Sequence, residues 1–491
     1  MSTQTLQADY LIIGSGAVGM AFADVILKET DASIVMVDSH HRPGGHWNDA
    51  YPFVRLHGPS SMYGVSSRRL GSGTKDTTGL NKGLDELASG PELLKYFDQI
   101  MQTQFLPSGR VQYFPMCQYM GQNPTDKGFT GNDRADSDLA GIDITRPCRF
   151  TSLLTGEQRQ VNVLKKFVDA TFNKTDVPST RQPQFAVSPE ARCVPLNELP
   201  RVKHPHSAYV VMGAGKTAID ACLWLLETGV APDQIRWIRP RDAWLQDRAN
   251  LQTGPASFEQ NFGGVVQQLE AIVQAESVKD LFARLEAAGQ LMRIDESVVP
   301  AMYRGAIVSR AELAQLRKIT QVVRMGHVQR IDKDQLVLQQ GAVPSNPDWL
   351  YIDCTADGLK KRIARPVFAG NTITPQWIEI FQPTFSAAFI AHVEATYQSD
   401  EDKNRLCGVI AGSDQDIDWL RMWAVSLANN YQWSKDQDLL DWKAQCRTDL
   451  YTAIARNVKA TEPDKLSILK RYGKSAGPAS AKLKQLLAEA G

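Results

Sequence analysis

Three things are missing from this chain, and each absence removes a class of function. There is no excess charge of either sign, since Lys plus Arg and Asp plus Glu both number 54. No whole-chain field therefore recruits nucleic acid or an anionic membrane surface. There is no Cys-x-x-Cys pair, and the seven cysteines (Cys117, Cys148, Cys193, Cys222, Cys354, Cys407 and Cys446) are scattered and odd in number. That pattern argues for a reducing cytosol and against a disulfide framework, a zinc site or the dithiol relay of a disulfide reductase. Finally, no apolar run reaches membrane-spanning length, and the first ten residues lack the basic and apolar regions of a signal peptide. The expectation is a cytoplasmic protein with a small-molecule substrate and no metal, nucleic-acid or membrane partner; a homo-oligomer is compatible with all of this. At 491 residues the chain is too long for one ordinary core.

Glycine is what stands out. Tyr10-Leu-Ile-Ile-Gly-Ser-Gly-Ala-Val-Gly19 is an apolar run breaking into Gly-x-Gly-x-x-Gly at Gly14, Gly16 and Gly19. With Val25, Ile26 and Leu27 behind it, then Ile34-Val-Met-Val37 and Asp38, it has every part of a βαβ dinucleotide unit. Gly14 allows the tight turn, Gly16 admits a pyrophosphate beside Ser15, and Gly19 lets the helix sit close on the sheet. Asp38, at the end of the next strand, can accept hydrogen bonds from ribose hydroxyls and would repel a 2′-phosphate, which suits FAD rather than NADP.

A second unit follows at Ala208-Tyr-Val-Val-Met-Gly-Ala-Gly-Lys-Thr-Ala218, with Gly213 and Gly215 at the turn. Lys216 can add charge near a pyrophosphate, and Thr217 opens the helix behind the turn. The next strand, Ile235-Arg-Trp-Ile238, ends in Arg239-Pro-Arg241 where an NAD site would carry an acid. Guanidinium groups there favour NADPH over NADH. Two nucleotides imply an electron donor and an electron acceptor.

Between the units lie Arg42-Pro-Gly-Gly-His-Trp47 and Tyr51-Pro-Phe-Val-Arg-Leu-His-Gly-Pro-Ser-Ser-Met-Tyr-Gly-Val-Ser66. The segment is too polar for a core and too aromatic for disorder, and is suited to folding over the adenosine and the flavin through Gly45, His46, Trp47 and Tyr63. Gly-Gly-x-Trp followed by Tyr-Pro-x-x-Arg-x-x-x-x-Ser-x-x-Tyr-x-x-Ser resembles the flavin-containing monooxygenase and Baeyer–Villiger monooxygenase superfamily, over about residues 8 to 395. Val168-Asp-Ala-Thr171 and Ile352-Asp-Cys-Thr-Ala-Asp-Gly358 resemble the paired motifs by which such chains leave and re-enter the FAD domain.

The resemblance implies NADPH reducing FAD, and reduced flavin forming a C4a-peroxyflavin that inserts one oxygen atom of O2 into an N, S or carbonyl centre. Arg55 and His57 are then the candidate catalytic residues. Two departures are visible: only His204-Pro-His206 stands where a Phe-x-Gly-x-x-x-His signature is usual, and His57 replaces the aspartate of the Baeyer–Villiger branch. A flavin dehydrogenase, reductase or oxidase without oxygen insertion is the alternative.

The fold class expected is α/β, with two Rossmann-like domains, the first discontinuous and the second inserted into it. The expected boundaries are 1–205 for the first part of the FAD domain and 206–345 for the NADP domain, with a helical insertion at about 255–320. Residues 346–400 form the FAD return and 401–491 a helical C-terminal region. Residues 328–331 and 336–338 should pair as a hairpin. Residues 176–205, with six prolines, read as a crossover. Pro383 should open a helix whose N-terminus, with Gln382 and Thr384, faces the pyrimidine edge of the flavin.

Overall fold

The computed structural model describes residues 4–122, 142–173, 175–356, 358 and 362–490, so Asp357 of the second strand-end motif lies outside the described residues. Two separate, mainly parallel sheets organise the chain, one behind each glycine loop.

The first sheet runs in the order Phe368–Ala369, Thr372–Ile373, Gln158–Asp169, Gln4–Ile13, Ile34–Val37, Val111–Phe114. Its centre is the parallel pairing of Gln4–Ile13 with Ile34–Val37 on one side and Gln158–Asp169 on the other. Leu11, Ile12, Val35 and Met36 are wholly buried, as parallel strands covered on both faces require. The helix Ala17–Glu29 packs against the helix Pro383–Thr396 on one face, small side chains such as Ala21, Ala387 and Ala391 allowing close approach.

The second sheet has the order Gln321–Val323, Ile235–Ile238, Tyr209–Met212, Leu350–Asp353, Arg192–Pro195, every pair parallel. Here the structure departs from the sequence expectation. Leu350–Asp353, expected in the FAD return segment, pairs in register with Tyr209–Met212 and belongs to the second sheet. Its four residues are all buried, so an apolar run alone cannot say which sheet it enters. The return is made later, by Thr372–Ile373 beside Gln158–Asp169. Arg192–Pro195, inside the expected crossover, is the edge strand of the second sheet, an edge being where a sheet accepts proline.

The segment expected as a helical insertion is mixed. Helices Phe258–Gln274 and Val278–Ala287 are present, but Met302–Val308 is a strand that pairs with Ala243–Asp247 in a small third sheet. Its β-branched and aromatic residues fit that state. The expected hairpin forms, with Val328 opposite Leu338 and Ile331 opposite Leu336. The C-terminal region is helical and packs on the insertion: Leu269, Ile272 and Leu281 share one core with Trp419, Leu420, Leu483 and Leu486. No helix among the described residues is long and apolar enough to cross a membrane.

Candidate cofactor and active site

At the first loop Gly14 adopts φ +99°, and a Cβ on Gly19 would lie 2.0 Å from the Gly14 carbonyl oxygen. The helix Ala17–Glu29 starts at Gly16 with no side-chain cap and no acid in its first turn, which leaves its N-terminus suited to an anion. Asp38 is buried, its carboxylate accepting from the Ser15 amide at 2.5 Å and the Ser15 hydroxyl at 2.8 Å. The same carboxylate holds His40 through its amide at 2.8 Å and Nδ1 at 3.0 Å, while His40 Nε2 meets Asp49 at 2.8 Å. Hydrogen bonds to Asp38 and then Asp49 push the His40 pKa up to about 10. Burial would raise the Asp38 carboxyl, but the bonds from His40 and Ser15 outweigh it and hold the group below its usual range. The acid expected to bind ribose is thus already partnered by His40, a feature missed in the sequence although Asp38-Ser-His40 is there to be read.

The second segment folds back on this loop. Gly44 N–H donates to Ser15 O at 2.9 Å, and a Cβ on Gly45 would meet Gly16 Cα at 3.0 Å. Trp47 Nε1 donates to the Tyr63 hydroxyl at 3.0 Å. The His46 ring lies 4.8 Å from that of Trp47, and burial lowers its pKa to about 4. Gly45, His46, Trp47 and Tyr63 are therefore brought to the first glycine loop. His57 is half-buried, and desolvation, followed by the cations Lys216 and Arg248, holds its pKa well below the ordinary 6.5. Arg55 is exposed and acts electrostatically on Glu92 and Glu227.

The second loop repeats the first. Gly213 has φ +131° and leaves no room for a Cβ, which would fall 2.6 Å from Cys354 O. Gly213 N–H donates to Ile238 O at 3.0 Å, as Gly14 N–H donates to Val37 O at 2.8 Å. The helix Lys216–Glu227 again starts from an uncapped glycine, Gly215, with open space around it. Lys216 pairs with Asp220, which also accepts from the Tyr51 hydroxyl, and Thr217 beside it is half-buried. Thr171 and Thr355 close the adjoining strands identically, each hydroxyl donating at 2.6 Å to the carboxylate two residues earlier, Asp169 or Asp353.

The two arginines differ. Arg239 is buried, 2% exposed, with its guanidinium 4.9 Å over the Trp237 ring and Nη2 3.2 Å from Asp242. Among the described residues its Nε and Nη1 have no hydrogen-bond partner, and burial lowers its pKa. Arg324, also on Asp242, stands beside it. Arg241 instead grips Asp414 of the C-terminal region with two bonds, at 2.9 and 2.7 Å, and shares that carboxylate with Arg304.

The helix Pro383–Thr396 has Pro383 in its first turn and Gln382 as N-cap. Phe381 before it takes φ +52°. The Gln382 Oε1 atom is buried without a partner among the described residues, and Thr384 is fully buried in the first turn. Residues the sequence did not mark also converge. Arg248 from the second domain donates to His57 O at 2.7 Å, and Thr253 meets Ser61 at 2.9 Å. Nearby, Gln246, Asn250, Gln268, Gln290, Tyr303 and Tyr451 help line a cavity of about 40 Å³ where the insertion meets the C-terminal region.

Comparison with known proteins adds a lineage. A profile for the NAD(P)-binding Rossmann-like domain matches residues 12–65. Uncharacterized protein Rv2000 of Mycobacterium tuberculosis (strain H37Rv) is 46% identical over 487 residues, covering 99% of this chain and 85% of that one. The chain belongs to the Rv2000 family. Uncharacterized protein Mb2023 of Mycobacterium bovis matches equally, at 46% over the same length. Among solved structures, a flavin-containing monooxygenase from Stenotrophomonas maltophilia is similar at 11% identity and TM-score 0.45, over 79% of this chain and 97% of that one. A cyclohexanone-bound cyclohexanone monooxygenase is similar at 13% and 0.49, over 80% and 86%. S-allyl-L-cysteine S-oxygenase from Allium sativum is similar at 11% and 0.44, over 99% of each chain.

Proposed function

We propose that the protein is an NADPH-dependent FAD monooxygenase that inserts one oxygen atom of O2 into a small organic substrate at an N, S or carbonyl centre. The observation that carries this reading is the pair of matching glycine loops, each at the carboxyl end of its own parallel sheet and each opening an uncapped helix. One loop is followed by an acid, the other by an arginine with spare donors.

The residues suit both groups. Gly14, Ser15, Gly16, Gly19 and Asp38 would hold the adenosine diphosphate of FAD, with Gly45, His46, Trp47 and Tyr63 over it. The orphaned Gln382 oxygen and the Thr384 turn would meet its pyrimidine edge, where a helix N-terminus favours negative charge. Gly213, Gly215, Lys216, Thr217 and Arg239 would hold NADPH, Arg239 taking the 2′-phosphate. Arg241, engaged by Asp414, would act as a latch to the C-terminal region. When bound, FAD supplies hydride acceptance and oxygen activation, and the protein supplies binding, orientation and shielding. His57, neutral at pH 7, offers one N–H donor and one acceptor nitrogen to that centre.

The His57 replacement and the missing Phe-x-Gly-x-x-x-His signature favour a second reading, a reductase or oxidase without oxygen insertion. Substrate-dependent O2 uptake with a mass-spectrometric gain of one oxygen, across amines, sulfides and ketones, supports the monooxygenase. NADPH oxidation that yields only hydrogen peroxide supports the alternative.

A further inference from the structure

The backbone of residues 61–65 is held from outside its own domain. Arg447, in the turn between helices Gln437–Gln445 and Thr452–Arg456, donates from Nη1 to Ser61 O at 2.5 Å. Its Nη2 reaches Tyr63 O at 2.9 Å and Val65 O at 2.6 Å, and its Nε reaches Val65 O at 3.2 Å. Among the described residues no carboxylate forms an ion pair with it, so the guanidinium is satisfied by carbonyls of this one segment. The turn is itself anchored: Thr448 is fully buried, Asp449 accepts from the Tyr451 and Thr452 amides, and Cys446 Sγ lies 3.6 Å from Ser66 Oγ. Across the segment, the Tyr63 hydroxyl takes the Trp47 N–H at 3.0 Å.

We infer that Arg447 is a positioning residue of the flavin site, an inference that rests on the flavoprotein reading above. A planar fork with three nitrogens on three alternate carbonyls fixes both the path and the rotation of residues 61–65. It thereby sets where Tyr63, and through it Trp47, stand over the cofactor. The C-terminal region is then part of the FAD site, and FAD retention depends on a residue that need not touch FAD.

The test uses full-length protein loaded with FAD. Arg447→Met removes every donor, Arg447→Lys keeps the charge without the fork, and Lys443→Met perturbs the same region at the Lys443–Asp449 pair, while the carbonyls of Ser61, Tyr63 and Val65 are held by Arg447. FAD release is followed as the rise in flavin fluorescence on dilution, and unfolding temperature is measured on each apoprotein. Release from Arg447→Met should be faster on the order of tenfold or more, with Arg447→Lys intermediate and Lys443→Met like the parent even where its unfolding temperature falls as far. If Arg447→Met does not fold, the Lys variants carry the same comparison. Equal release rates in Arg447 variants and parent, or equal acceleration by Lys443→Met, overturn the inference while leaving the flavoprotein reading intact. A parent that takes up no FAD overturns both.

Discussion

Replacing Arg239 with methionine separates binding from stability in a way the geometry makes specific. The side chain is 2% exposed and has two nitrogens without partners among the described residues, and each buried unsatisfied donor costs about 1–3 kcal/mol. Methionine removes that cost. It also removes the 3.2 Å pairing with Asp242 and the cation over Trp237, the latter worth about 0.5–2 kcal/mol. Asp242 is not stranded, because Arg324 stays on it at 2.7 Å. The terms nearly cancel, so the unfolding temperature of the apoprotein should hold or rise. Coenzyme selection should not hold. A bond to a charged group contributes about 1.5–3 kcal/mol, equivalent to roughly 10- to 150-fold. The ratio of kcat/KM for NADPH over NADH, measured by coenzyme-driven flavin reduction, should fall by that factor with the NADH value unchanged. A variant that loses NADPH and NADH in equal proportion, or whose apoprotein unfolds well below the parent, refutes the assignment of Arg239 to a 2′-phosphate.

Other substitutions read other parts of the account. Gly19→Ala places a Cβ 2.0 Å from Gly14 O, so the helix must move; overpacking of this kind costs about 1–3 kcal/mol, and calorimetry should show a lower unfolding temperature. Gly16→Val puts methyl groups beyond a Cβ that already lies 3.5 Å from Gly45 Cα, and FAD content, assayed by released flavin, should be lost; full occupancy would mean the loop is misassigned. For His40 the folded pKa, about 10, lies above the ordinary 6.5, so its stabilisation is complete below pH 6.5 and lost as pH rises towards 10. The gap in unfolding temperature between parent and His40→Gln should therefore be widest near pH 6 and close by pH 10; a constant gap would show that His40 is not charged in the fold. Arg241→Ala should lower stability and leave the NADPH preference in place, because its guanidinium is engaged by Asp414.

Local chemistry was legible in the sequence and long-range placement was not. Gly14, Gly19 and Gly213 could be read because their backbone requirements follow from the turn itself, and the 328–338 hairpin because its pattern lies within a few residues. Leu350–Asp353 could not be placed, since a strand buried on both faces looks the same in either sheet. Arg192–Pro195 hid among prolines as an edge strand. The pairing of Arg241 with Asp414 could not be foreseen, because Asp414 comes from a distant part of the chain. Arg248 and Arg447 were invisible for the same reason: they bind backbone carbonyls, which no sequence pattern marks.

Anaerobic titration of the FAD-loaded protein with NADPH tests the central claim most directly, because it requires both nucleotide sites at once. The account predicts that the flavin absorbance bleaches stoichiometrically with NADPH and returns when O2 is admitted. A protein that binds no FAD, or whose bound flavin stays oxidised under excess NADPH, would contradict it.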